Sequence, residues 1–339
     1  MKNPIYSSHT NVNGFGGRQL LAGRFGSALL RPLATVMAVI SSAVAVHATT
    51  IDLSEAGNYN LLTWGDATLQ NSDIQGSVAV GGNASFSGYS IGSQANNALP
   101  TDASFVVRGN LTAGSGQVNN GSIYVGGAYN GPGYNLNAAA GSVTQSGLGA
   151  AVPFNFATAR TALTASSASY GAAAANGWIA LGSTLTLTGT DSSLNIFNIT
   201  AAQLAAANTL QINVAANSHV LINVSGTSAV FSNMGISGTA TAADTLFNFY
   251  QATTLLMSSI GVEGSILAPL ADVNFANGQM DGILIANSFT GGGELHNHPF
   301  NNQTPKSVPD SANTALLLLG GFGALALARK SVTKKVGSQ

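Results

Sequence analysis

The sequence predicts an all-β protein with one flanking α-helix, wound as a β-solenoid. Three observations lead there. Short apolar alternations of four to six residues recur from residue 51 to about 305, each cut by Gly or Asn. Gly76-Ser-Val78-Ala-Val80-Gly-Gly82 returns almost unchanged 45 residues later as Gly121-Ser-Ile123-Tyr-Val125-Gly-Gly127. The chain also has no cysteine, so backbone pairing and burial must stabilise it without disulfides or thiolate metal sites. Short strands with glycine corners, recurring at about 20 residues or multiples of that, fit coils stacked at about 4.8 Å. Each coil buries inward Val, Ile, Leu or Phe against the next. Glycine supplies positive φ at tight corners, and asparagine tolerates left-handed corners and can stack in amide ladders. The irregular repeat leaves a β-sandwich as the structural alternative.

Three segments follow from the order of elements: a signal peptide over 1–48, the solenoid domain over 49–305, and a sorting or transmembrane tail over 306–339. Residues 33–46 form an apolar run after Arg24 and Arg31, and Val46-His47-Ala48 places small residues around a cut after Ala48. Charged, apolar, then small is the order of a secretory signal peptide. An uncleaved anchor is the alternative, because the basic stretch before the run is long. Within the domain, residues 264–269 (Gly264-Ser-Ile266-Leu-Ala-Pro269) and 282–286 repeat the strand-and-corner grammar 18 residues apart.

Two stretches read as helices. Residues 154–175 are Ala-rich, with Phe156, Ala159, Leu163 and Ser167 at helical spacing and Gly177 as terminator, which predicts one helix along the solenoid's flank. Thr200-x-x-Gln203 is a capping-box pattern, predicting a short helix over 200–208 ahead of a strand over 210–214. Residues 219–224 and 244–250 are further strands.

Charge is distributed by segment. Four of the eleven basic residues precede the first apolar run and four follow the last one, leaving Arg108, Arg160 and Lys306 between. Eleven of the twelve acids lie from Asp52 to Glu294. The part between the apolar runs is therefore acidic, and it lacks the Lys and Arg that neutralise phosphates. Nucleic acid and anionic membranes are thereby excluded as its partners.

The tail carries Val308, Pro309, Asp310 and Ser311, then an apolar stretch over 314–328, then Arg329-Lys330 and Lys334-Lys335. As a helix that stretch reaches about 22 Å, short of a hydrocarbon core of about 30 Å. The basic end would stay cytoplasmic and leave the domain outside. Motif, apolar helix and basic end together resemble the PEP-CTERM class of bacterial sorting signals, nearest its Val-Pro-Asp-Ser-Gly variant, with Ala312 in place of the glycine. That resemblance implies an exosortase-type processing peptidase and the secretion machinery as partners. It also implies membrane contact through the tail before processing, and residence in the cell envelope or extracellular matrix.

A second resemblance spans most of the domain. Gly76-Ser-Val-Ala-Val-Gly-Gly82, Leu221-Ile-Asn-Val-Ser-Gly226, Phe247-Asn248-Phe249, Gly261-Val-Glu-Gly264-Ser-Ile-Leu-Ala-Pro269, Asn287-Ser288 and Gly293-Glu-Leu-His296-Asn-His-Pro-Phe300 occur in an order similar to the choice-of-anchor A domain. The resemblance implies an exported, adhesin-like surface domain with a solenoid-like fold. It implies neither catalytic residues nor a cofactor. Its ligand would be an unidentified polysaccharide or surface.

Candidate chemistry is sparse. Glu294-x-His296-x-His298 would point three potential metal ligands to one face of a strand, and a closed site would need Asp272 or Asp281 from neighbouring coils. The ordinary alternative is a terminal loop in which His296 bonds backbone. Asp272, Asp281, Glu263 and Glu294 could form the carboxylate pair of a polysaccharide-acting β-helix enzyme only at separations of about 5 Å or 6.5–9.5 Å. Scattered acids more often decorate solvated corners. Thr184-x-Thr186-x-Thr188-x-Thr190 is a hydroxyl stripe of the kind an ice-binding solenoid would use, although cross-strand packing of β-branched residues explains it equally. The paired and triple glycines (Gly81-Gly82, Gly126-Gly127, Gly291-Gly292-Gly293) lack the following Lys-Ser/Thr and helix of a phosphate loop.

Overall fold

A computed structural model of the chain describes residues 50–95, 103–131, 135–136 and 141–302. The signal segment with Ala48, and the tail with Val308, Pro309, Asp310 and Ser311, lie outside the described residues. The strands wind as a three-faced parallel β-solenoid with a helix on its flank, as the corner-and-strand grammar predicts. The parallel pairing of successive coils excludes the sandwich alternative.

Face A sets the frame. In stacking order its ten parallel strands are Leu194–Thr200, His219–Ser225, Thr245–Asn248, the start of Ser265–Asp281 and the start of Leu284–Gly291, followed by Leu61–Thr63, Val78–Val80, Ala103–Val107, Ser122–Val125 and Thr144–Gln145. Stacking order is thus not chain order. The described chain starts in mid-stack and climbs to one tip. It then runs back as α1 (Phe156–Gly171) and winds forward from the other tip until Leu284–Gly291 pairs with Leu61–Thr63. The paired strands differ by 17 residues at Leu61 and Val78 and by 27 at Val78 and Phe105. That variation explains the irregular repeat in the sequence.

Burial follows from the two sides of face A. Its inward side chains, among them Val78, Phe105, Ile123, Val220, Phe247 and Ile266, join the solenoid interior. Its outward side chains, among them Leu62, Ala79, Val106, Leu221, Leu246, Leu267 and Ile285, are covered by Phe156, Leu163 and Tyr170 of α1 with Leu53, Phe154 and Phe300. Face A strands therefore read as continuous apolar runs, the pattern of a parallel sheet covered on both sides. Sixteen helical residues span about 24 Å. The step from Val78–Val80 to His219–Ser225 is five strand spacings, again about 24 Å.

An asparagine ladder fixes the C-terminal half of α1. Asn198, Asn223 and Asn248 stand in register on three coils. Asn223 Nδ2 donates to Asn198 Oδ1 and to the carbonyl of Tyr170; Asn248 Nδ2 donates to Asn223 Oδ1 and to the carbonyl of Ser167. The Ser167 hydroxyl donates to Asn248 Oδ1 at 2.6 Å. A buried amide whose hydrogens are both engaged carries no unmet desolvation cost. The helix ends at Gly171, not Gly177. A Cβ there would lie 2.5 Å from the Tyr250 ring, and the chain beyond turns to cover the outermost strand.

That tip is closed. Asn176 imitates a neighbouring strand: its Oδ1 accepts from Ile196 N at 2.7 Å and its Nδ2 donates to Leu194 O at 2.9 Å. Trp178–Ala180 pairs antiparallel with Thr184–Thr188. α2 (Ala201–Ala205), with both halves of the predicted capping box formed, packs against Ser228–Ser232. Covering strand edges in this way blocks further pairing.

The corners use the predicted residues. Asn71 and Gly88 take φ of 56° and 63° where two long strands bend from face B to face C. At the A–B corner a Cβ on Gly126 would lie 2.1 Å from the carbonyl oxygen of Arg108, so a larger residue would force two coils apart. The sequence reading of these glycines as corners stands.

Candidate functional site

Faces B and C carry the polar side chains, because no helix covers them. On face B an outward row runs in unbroken register through eight strands: Val230, Leu256, Asn274, Thr290, Thr68, Ser85, Thr112 and Asn130. At one rung per strand spacing it extends about 34 Å. The first two rungs are apolar, with Val230 40% and Leu256 48% exposed; the remaining six are amides and hydroxyls. Beneath them the alternate residues Phe231, Leu255, Met257, Val273, Phe275, Phe289, Leu69 and Phe86 fill the interior.

A second ladder lines the A–B corner. Asp66 Oδ1 accepts from Asn83 N at 2.7 Å, Asn83 Oδ1 from Asn110 N at 2.9 Å, and Asn110 Oδ1 from Ala128 N at 2.8 Å. Each side chain thus satisfies a backbone donor of the next coil. Between this ladder and Thr68, Ser85, Thr112 and Asn130 lies an open groove of about 270 Å³. Further along face B, Asp272 accepts from Asn287 Nδ2 at 2.7 Å and from the Ser288 hydroxyl at 2.6 Å. The Ser288 bond and then the Asn287 bond hold its carboxyl below the ordinary Asp range.

Face C gathers the histidine cluster. Glu294 and His296 project from one side of Glu294–His296, as their spacing predicts. Gln279 pairs with Glu294 and Asp281 with His296 in the strand register. His296 Nδ1 meets Asp281 Oδ1 at 2.5 Å and its Nε2 lies 3.0 Å from Glu294 Oε1. Burial pulls the imidazole pKa down, but the hydrogen bonds and charges of Asp281 and Glu294 outweigh it, and the net shift is upward. Asp73, on the adjoining coil, is pushed up by burial and by the neighbouring Glu294. His298 lies beyond the strand, with Nε2 4.0 Å from Asp281 Oδ2.

These placements revise the sequence candidates. Both ring nitrogens of His296 face carboxylates, and among the described residues no group of three or more His, Asp or Glu is arranged to hold a metal ion. Asp272 sits on face B, away from Glu263, Asp281 and Glu294 on face C, so the four acids do not converge. The threonine stripe is real on Thr184–Thr188, with Leu185 and Leu187 inward, but Thr190 lies outside the strand. The next strand presents Thr209, Gln211 and Asn213, so the stripe does not become an array. The long hydroxyl row is on face B instead. No spacing rule revealed it, because Thr290 stacks beside Thr68 and they are far apart in sequence.

Architecture and faces together define a discontinuous parallel β-solenoid with a flanking helix and two uncovered faces. The family described as "Putative Ice-binding-like adhesive domain" matches residues 52–297, and the chain belongs to that family. A crystal structure of an ice binding protein from an Antarctic biological consortium aligns over 73% of this chain and 89% of its own, at 13% identity and a TM-score of 0.31. That score is too low to transfer any property. No curated protein matches the sequence. Among the described residues no helix is long and apolar enough to cross a membrane; the apolar stretch over 314–328 lies outside them.

Proposed function

We propose that this chain is an exported surface adhesin whose face B binds a polymer or surface without changing it. The observation that carries the reading is the eight-rung outward row: regular, uncovered, and free of the convergent acid–base groups a catalyst requires. Many weak, evenly spaced contacts favour attachment by avidity. In this reading residues 1–48 direct export. Residues 306–339 form a PEP-CTERM-type tail processed by an exosortase-type peptidase, in keeping with the likeness to choice-of-anchor A domains. The chain enters and leaves the domain on the same flank, where Leu53 N donates to Asn302 Oδ1 at 3.0 Å. A tether through the tail therefore leaves face B open.

Two measurements test this. Cell fractionation with terminal mass spectrometry should find a mature protein in the envelope or medium, starting near Thr49 and lacking the 314–328 stretch. Retention of the protein on exopolysaccharides and matrix proteins should fall in a Leu256→Arg, Thr290→Arg variant, with no soluble product released. Product formation that vanishes in Glu294→Gln or Asp272→Asn would replace the adhesin with an enzyme. The family description and the hydroxyl row favour one second reading, direct binding to ice. Ice-growth inhibition lost in Thr290→Tyr would select it.

A further inference from the structure

We infer that the groove beside the A–B corner is a binding site for a neutral, extended polysaccharide lying along the solenoid axis; this rests on the reading of face B as the adhesive face. The groove crosses the strands, so a ligand in it meets the same chemistry at every coil. One wall is the corner ladder. Because the Oδ1 atoms of Asn83 and Asn110 are committed to backbone donors of the next coil, their amide planes are fixed. Each Nδ2 remains at the groove with no acceptor among the described residues. The other wall is the in-register set Thr68, Ser85, Thr112 and Asn130, whose hydroxyls both donate and accept. Asp66 stands at one end and offers an acceptor.

Repeating donors on one side and donor–acceptors on the other match a chain that presents hydroxyls at every residue. Strand spacing of about 4.8 Å is close to the rise of one sugar in an extended β-linked glycan, so successive sugars meet successive coils. Charge selects among polymers. The groove contains one carboxylate and no Lys or Arg, which disfavours a polyanion. A polycation would find too few acids here to pair with. Amide and hydroxyl walls therefore favour an uncharged polyol. The absence of an aromatic platform in the lining makes each contact weak, so affinity must accumulate with ligand length.

The test uses the purified full chain in equilibrium dialysis against a labelled neutral β-1,4-linked hexasaccharide, its disaccharide, and a hexagalacturonate. The expected result is that the neutral hexasaccharide binds at least tenfold tighter than the disaccharide and that the hexagalacturonate does not bind. Ser85→Arg and Thr112→Arg, both at exposed positions, should weaken hexasaccharide binding about tenfold or more, the loss that one or two net hydrogen bonds imply. Val230→Arg, at the far end of the same row, should leave it unchanged. Circular dichroism of each variant should match the parent. Equal affinity for the disaccharide, binding of the hexagalacturonate, or indifference to both groove substitutions would overturn the proposal. If no neutral oligosaccharide binds while Ser85→Arg still abolishes retention on cell material, the glycan assignment fails and face B adhesion stands. If hexasaccharide binding follows the groove while the chain is retained on no surface, the groove assignment stands and the adhesin reading fails.

Discussion

Removing the side chain of Asn60 should open the seam where the last coil meets the first. Asn60 is 1% exposed and precedes Leu61–Thr63. Its Nδ2 donates to the carbonyls of Gly282 at 2.6 Å and His296 at 3.0 Å, and its Oδ1 accepts from Gly76 N at 3.0 Å. One amide therefore joins strands from both ends of the domain. In Asn60→Ala the His296 carbonyl keeps its bond from His298 N, whereas Gly282 O and Gly76 N lose theirs. Two buried backbone groups deprived of partners, plus the net worth of the bonds, imply a loss of about 2–6 kcal/mol. Asn60→Asp keeps the acceptor for Gly76 but sets a carboxylate against two carbonyls, so at neutral pH it should cost at least as much. Asn83→Ala, at an exposed corner with one bond to the next coil, should cost about 1 kcal/mol or less. Trp64 reports the seam directly, since it is 6% exposed and its N–H donates to Ala286 O across it. In a Trp178→Phe background, urea unfolding followed by Trp64 fluorescence should show a large midpoint shift for Asn60→Ala and a small one for Asn83→Ala. Equal shifts would refute the seam as a point of special dependence.

Three further outcomes follow from burial, capping and titration. Ile266→Asp replaces a fully buried interior side chain with an unpaired carboxyl and should cost several kcal/mol. Thr186→Asp, on the outward side of Thr184–Thr188, should cost well under about 1 kcal/mol; similar urea midpoints for the two would contradict the inward–outward assignment. Thr200→Ala removes the hydroxyl that accepts from Gln203 N and should lower stability by about 1 kcal/mol, a loss absent if α2 merely rests on its neighbours. His296 has a folded-state pKa raised above 6.5. Its stabilisation is therefore complete below the unfolded value and lost as pH rises through the folded value. Urea midpoints measured upward from pH 6 should fall for the parent and stay flat for His296→Gln. The same slope in both would remove His296 as the source.

Much of the fold was legible because coil physics writes itself locally. Inward and outward alternation, glycine corners, the capping box at Thr200 and the helical spacing of Phe156, Leu163 and Ser167 each depend on neighbours in sequence. The stacking order depends on none of them. That Leu61–Thr63 lies between Val78–Val80 and Leu284–Gly291 is decided by which apolar faces remain uncovered after the helix folds back. No local pattern encodes it. One signal was available: Asn198, Asn223 and Asn248 recur every 25 residues within apolar strands, a spacing that fixes two coil lengths and the face that receives the helix. The candidate site was less legible for the same reason. Glu294 and His296 share a face as their spacing required, but their partners Asp281 and Asp73 come from coils on opposite sides of that strand.

Discontinuous stacking also decides how the domain meets its surroundings. In a solenoid wound in chain order the two ends of the chain leave from opposite tips, ten strands apart along face A here, or about 43 Å at one strand spacing per step. In this protein the first and last strands are neighbours in mid-stack. Phe300 is buried with Leu53 on the helix flank, and Asn301 Nδ2 donates to Asp244 Oδ1 while its carbonyl accepts at the His219 ring. The chain is thus pinned at its exit on the covered face. Any pull through the tail loads the flank and the seam, and the adhesive row on face B bears it only through the interior. The bonds of Asn60, and that of the Tyr89 hydroxyl to Gly293 O at 3.0 Å, cross the seam between the two halves of the stack. The polar side chains buried at that junction thus lie between the point of tethering and the surface that binds, where a load would otherwise separate the first coil from the last.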